Sequence, residues 1–108
     1  MDLQSKNLEE LQLVIQQFVQ ERNWQRPPAD VLIHLIEEMG EVARNILILN
    51  NYGGQHTSDK KTNLDEELAD VLYLLLKLAN ETNINLSLAL QTKMQKNALR
   101  FPPEKKSL

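Results

Sequence analysis

The 108-residue chain carries 15 acidic and 12 basic side chains, and its formal net charge of −3 disfavours attachment to a nucleic-acid polymer, which needs clustered lysine and arginine. At 42% hydrophobic and 25% charged it has a globular composition, and its length suits one domain spanning 1–108. It has no cysteine, which rules out disulfides, a thiolate nucleophile and cysteine-held zinc.

Apolar residues recur with helical spacing along the chain, and no segment sustains the alternation of a half-buried strand, so an all-α fold of four helices is predicted. The first helix is read from about Asn7 to Arg22. Leu8, Leu11, Val14 or Ile15, Phe18 and Val19 form its stripe, and Asn7 with Glu10 has the pattern of a capping box. "RNWQRPP" is expected to end it, because Pro27 and Pro28 remove donors and push Arg26 out of the helical region. The second helix starts near Pro28 or Ala29 and runs to about Leu49, turning Val31, Leu32, Leu35, Ile36, Met39, Val42, Ala43 and Ile46 toward neighbours. Residues 50–63, "NNYGGQHTSDKKTN", form a polar loop of a length usually tied to function or mobility. Asn63 with Glu66 offers a second capping box for a third helix reaching Glu81. After the connector "TNIN", Asn85 caps a fourth helix from Leu86 to about Leu99, which "FPP" ends.

On the third helix Leu72, Tyr73, Leu74, Leu75, Leu76, Leu78 and Ala79 cover most of the circumference, more than one face of a single four-helix bundle can bury. A second copy of the chain would cover the rest, so a homo-oligomer is expected, a homodimer or homotetramer; the alternative is a helix central in a monomer. The longest apolar run, "VLYLLL" at 71–76, is far short of the ~20 residues of a membrane span, and the first residues lack the pattern of a secretory signal. These features predict a cytoplasmic protein without a membrane partner.

"LIEEMGEVA" at 35–43 sets Glu37, Glu38 and Glu41 into an otherwise apolar helix, and "EELADVL" at 66–72 does the same with Glu66, Glu67 and Asp70. Glu38 with Glu41, and Glu67 with Asp70, are i, i+3 pairs and share a helix face. If those faces pack together, carboxylates come close enough to repel strongly, and protons or cations must compensate. Arg44 and Lys77 are the nearby basic candidates, but as few as two cations would face as many as six acids; a divalent ion is the better account. An all-oxygen ligand set selects a hard cation, Mg²⁺ first, with Mn²⁺ as substitute. Gly40 either admits a ligand, water or helix between Glu37 and Glu41 or serves helix packing alone.

The pattern E-E-x-x-E on one helix and E-x-x-D on the next, here Glu37, Glu38, Glu41, Glu67 and Asp70, resembles that of the MazG-like group of all-α nucleoside triphosphate pyrophosphohydrolases, which includes dimeric dUTPases and dCTP pyrophosphatases. "NWQRPP" and "KMQKNALRF" are similar to family segments in the same order. The resemblance implies a four-helix MazG-like bundle and Mg²⁺-dependent hydrolysis of a nucleoside triphosphate to monophosphate and pyrophosphate, serving clean-up of the nucleotide pool. It implies Glu38, Glu41, Glu67 and Asp70 as metal ligands, and Glu37 or Glu41 as the group acting on the attacking water. It further implies phosphate or sugar contacts for Lys93 and Asn97, with Arg100 beside them, and a base-stacking role for Trp24; a solvated helix face and a packing anchor are the respective alternatives. His34, one turn before Glu38, is either a donor to that carboxylate or a structural histidine. Leu74 departs from the dCTP-type pattern, where a substrate-contacting tyrosine stands. Lys60 and Lys61 would close over phosphates or lie in solvent. The competing readings are a phosphoribosyl-ATP pyrophosphohydrolase and a helical oligomer that binds a nucleotide or partner without turnover.

Overall fold

The computed structural model describes residues 1–50 and 63–105. The described residues fold as four α-helices without a strand: α1 (Leu8–Glu21), α2 (Pro28–Leu49), α3 (Leu64–Glu81) and α4 (Leu86–Arg100). None of them is long and apolar enough to cross a membrane. The all-α reading of the sequence holds, and each helix lies within a residue or two of its expected bounds.

The helix ends show which side chains do the punctuation. At the start of α1 the capping box forms as expected: the Glu10 N–H donates to Asn7 Oδ1 at 2.8 Å and the Asn7 N–H donates to Glu10 Oε1 at 3.0 Å. Its far end is set upstream of the prolines. Asn23 takes a left-handed conformation with φ 57°, the Trp24 N–H reaches back to the Val19 carbonyl at 3.0 Å, and the Asn23 N–H to that of Gln20 at 3.1 Å. Asparagine tolerates this region better than most residues, and the paired bonds satisfy carbonyls that the helix end would orphan. Pro27 and Pro28 therefore open α2 rather than close α1. The end of α3 repeats the device: Asn83 has φ 57°, and the Ile84 N–H donates to the Ala79 carbonyl at 2.8 Å.

The second expected capping box does not form. Asn63 makes no side-chain cap; its N–H donates to Asn45 Oδ1 of α2 at 3.2 Å. A tertiary acceptor has replaced the local one. Asn85 caps α4 as expected, accepting from the Leu88 N–H at 3.1 Å.

α3 is the hub, packed along α2 on one side and α1 on the other, while α4 leans on α1. The core joins Val31 and Leu35 of α2 to Leu74 of α3, with Val71, Tyr73 and Leu78 packed against them. Burial of each large apolar side chain contributes about 1.5–3 kcal/mol. Gln12, buried on α1, fastens the other side: its Nε2 donates to Asn80 Oδ1 at 3.1 Å and to the Ile84 carbonyl at 2.8 Å, and its Oε1 accepts from the Leu86 N–H at 2.8 Å.

The chain is open. Its Cα radius of gyration is 18.0 Å, against ~13 Å expected for a compact chain of this length. Leu32, Ile36 and Met39, expected to face neighbours, lie exposed along α2, as do Leu68, Leu72 and Leu75 along α3. α4 has no buried residue at all, and Leu88, Leu90, Met94 and Leu99 stand out from it.

Candidate active site

Two helices carry the acidic residues to one place. α2 presents Glu38, and α3, laid against it through the Val31–Leu35–Leu74 core, presents Glu67 and Asp70 on successive turns. One carboxylate oxygen from each of Glu38, Glu67 and Asp70 lies within 4.8 Å of the other two. Asn45 keeps the helices in register at this end, since its Oδ1 holds the first residue of the α3 turn that leads to Glu67 and its Nδ2 donates to the Glu41 carbonyl at 2.8 Å.

The electrostatics follow from that convergence. Partial burial, then Glu38 within hydrogen-bonding reach, then the charges of Glu38, Glu41 and Asp70 hold the Glu67 carboxyl above the ordinary carboxylate range. Neither Arg44 nor Lys77 forms an ion pair with any of these acids among the described residues. Among the described residues the basic group in contact is His34, whose Nε2 lies 3.5 Å from Glu38 Oε1. A set of converging oxygens that raises a proton affinity and, among the described residues, has no lysine or arginine paired with it suits a small divalent cation. The donors are all oxygen, as that chemistry requires.

Glu41 stands on the next turn of α2, outside the trio, and acts on Glu67 through its charge. Glu37 is exposed and belongs to neither group. A Cβ built on Gly40 would meet nothing within 4 Å among the described residues, so no neighbouring helix of the chain packs against this glycine.

Beside the carboxylates lies a cleft. Its first part, about 240 Å³, is lined by His34, Glu38, Asp70, Tyr73 and Leu74. Its second, about 330 Å³, is lined by Trp24, Arg26, His34, Tyr73, Leu74 and Lys77. His34, Tyr73 and Leu74 wall both parts, which are therefore neighbours. Trp24 is held edge-on against Phe18 with ring centroids 5.8 Å apart, Tyr73 packs edge-on to the same ring at 6.0 Å, and the Arg22 guanidinium covers Phe18 at 3.7 Å. Trp24 is thus anchored, yet 47% exposed and facing the cleft.

The helix-four residues are elsewhere in the protomer. Lys93 and Arg100 are exposed and Asn97 half-buried on a helix that packs on α1, and none of the three lines the cleft. Arg100 leans over Phe101 at 5.1 Å. Lys60 and Lys61, and most of the loop that holds them, lie outside the described residues. Sequence reasoning overlooked Asn45 and Arg26 as parts of this region and named Lys77 only as a counter-ion candidate for the acids, not as a wall of the cleft. Lys77 was detectable, being seven residues after Asp70 and so on nearly the same face of α3.

Comparison with known proteins identifies the family and the fold. Residues 26–103 match the family model of the MazG nucleotide pyrophosphohydrolase domain. Human dCTP pyrophosphatase 1 is 34% identical over 100 residues, 88% of this chain, but the match spans only 59% of that protein. The uncharacterized protein YpjD of Bacillus subtilis is 31% identical over 98 residues, 87% of this chain and 86% of its own. The crystal structure of the Bacillus-conserved MazG protein, a nucleotide pyrophosphohydrolase, superposes with a TM-score of 0.70 at 28% identity, covering 96% of this chain and 98% of that one.

Proposed function

The chain belongs to the MazG nucleotide pyrophosphohydrolase family, and from that premise we propose that it hydrolyses nucleoside triphosphates to monophosphate and pyrophosphate with Mg²⁺ as cofactor. The observation that carries the reading is the meeting of Glu38, Glu67 and Asp70 at the mouth of a cleft walled by Trp24 and Tyr73.

Glu38, Glu67 and Asp70 would hold the ion, with Glu41 close enough on its helix to join them. When bound, a divalent cation would supply the positive charge that lets a triphosphate approach carboxylates and would favour deprotonation of the attacking water. His34 steadies Glu38 from the preceding turn. The water oxygen bonds to the α-phosphorus, the bond between the α-phosphorus and the bridging oxygen breaks, and pyrophosphate leaves. The proton passes to a carboxylate outside the ligand trio. Glu41 is better placed for this than Glu37, because its charge is felt at Glu67 and that of Glu37 is not. The exposed indole of Trp24 takes the base.

Mn²⁺ substitutes for Mg²⁺ in this scheme. The working unit is a homo-oligomer: α4 buries nothing within the protomer, and the stripes on α2 and α3 need a cover. Lys93, Asn97 and Arg100 reach phosphates only if a second copy brings its α4 to the cleft. dCTP, the substrate in the name of the human relative, belongs in the substrate screen, although Leu74 lines the cleft here.

The test is pyrophosphate release from a panel of ordinary and modified ribo- and deoxyribonucleoside triphosphates, with Mg²⁺ or EDTA, for the wild type and Asp70→Asn. Mg²⁺-dependent release that the variant lacks, while remaining folded, supports the reading. No release from any triphosphate would leave a nucleotide-binding oligomer without turnover. Sedimentation of wild type and Leu72→Glu checks the assembly, the charge being expected to break it.

A further inference from the structure

Lys77 is out of keeping with its surroundings. It is only 8% exposed, and among the described residues no carboxylate forms an ion pair with it. Desolvation lowers its pKa, Glu81 opposes that shift and the Arg26 charge adds to it. Burial encloses the lysine stem, while the ammonium has no ion partner among the described residues and the side chain lines the cleft just described.

Lys77 is seven residues beyond Asp70 on α3, roughly 10 Å along the helix axis. The carboxylate end takes the metal and therefore the phosphates. Between the ends lie Trp24, Tyr73 and Leu74, ring faces and aliphatic surface suited to the face of a nucleobase rather than to phosphate. A base stacked there points its outer edge at Lys77 and Arg26. Lysine offers three donors and arginine five, and neither accepts. Arg26 already gives one N–H to the Gln25 carbonyl at 2.8 Å and keeps the others. Lys77 also lines a hollow of about 100 Å³ that it shares with Glu81, whose charge acts on the ammonium without forming an ion pair.

Resting on the pyrophosphohydrolase reading above, we propose that Lys77, seconded by Arg26, is a specificity determinant that selects nucleobases with oxo acceptors at the outer edge, 6-oxopurines and 4-oxopyrimidines, over their amino counterparts. An oxo group pairs with the ammonium, whereas an amine sets donor against donor and leaves both unpaired out of water.

The experiment compares kcat/KM for pairs that differ mainly at that edge, ITP against ATP and UTP against CTP, each also in the deoxy series, for wild type, Lys77→Arg and Lys77→Met. Methionine fills the volume of the lysine stem, so the variant keeps the packing, which circular dichroism verifies. The wild type should favour the oxo member by about tenfold or more. Lys77→Met should bring the ratio toward one, with the loss falling on the oxo member, and Lys77→Arg should keep part of the preference. A wild-type ratio near one, or an equal fall on all substrates in Lys77→Met, overturns the proposal; the latter would assign Lys77 to phosphate or to structure. Trp24, the sole tryptophan, gives a readout without turnover: quenching by IMP against AMP, and UMP against CMP, with Mg²⁺. If no triphosphate is hydrolysed the enzymatic reading fails, while oxo-selective quenching lost in Lys77→Met upholds base selection. Unselective quenching, or none, rejects it.

Discussion

Asn45 Oδ1 accepts the backbone N–H of Asn63 at 3.2 Å, and this bond places the first turn of α3 beside α2 one turn ahead of Glu67. The acceptor is a side chain on the same helix as Glu38, so the distance between the acidic faces depends partly on it. Asn45→Ala should cost about 0.5–1.5 kcal/mol in chemical denaturation. It should also weaken Mg²⁺ binding, read by titration calorimetry, by several-fold, of the order seen when groups that orient ligands are lost. Unchanged Mg²⁺ affinity would mean that core packing alone sets the separation.

Glu67 gives the site a pH signature. Its folded carboxyl keeps a proton above the usual value of 4.5, so in the window from there up to its raised pKa the folded chain binds more protons than the unfolded one. Stability of the metal-free protein therefore falls as pH climbs through that window, and below it the penalty is absent. Melting in EDTA at stepped pH should show this decline. Mg²⁺ should reverse it by binding the deprotonated form. Glu67→Gln should flatten the decline and melt higher than wild type in EDTA, yet gain less from Mg²⁺. A melting temperature rising across the same window in EDTA would contradict the cluster.

The site was legible in the sequence where it obeys periodicity. Glu38, Glu67 and Asp70 share faces by i, i+3 spacing and helix-to-helix pairing, and apolar stripes gave the four helices. What escaped were amides and caps whose partners are distant in the chain. Gln12 bonds to residues 68 to 74 positions away, and the sequence around it reads as an ordinary polar position. Asn63 and Glu66 have the letters of a capping box, but the Asn45 amide supplies the tertiary contact that the local pattern cannot show. Asn23 ends α1 before the prolines because a left-handed turn with two backbone bonds is available there.

Gln12 should prove a stability residue with no part in the chemistry. Gln12→Ala orphans the Ile84 carbonyl and the Leu86 N–H, which together should cost about 2–4 kcal/mol. Gln12→Glu keeps the shape and the acceptor but loses the donor to Asn80 and Ile84, and buries a charge. Both should melt well below wild type. A loss no larger than that of an exposed glutamine such as Gln17 would show that water replaces the clasp.

Lys77 makes the opposite prediction for its own removal. Desolvation lowers its folded pKa, so between that value and the ordinary 10.5 the unfolded chain binds more protons than the folded one, and stability rises with pH across the window. Below the window both states are charged and the folded state bears the full cost of desolvation. Lys77→Met removes the charge and keeps the stem, and replacing buried charge by packed apolar volume is often stabilising. The variant should therefore denature later than wild type at neutral pH, and the gap should narrow as pH is raised toward 10.5. A variant less stable than wild type at neutral pH would mean that the ammonium has a structural partner instead.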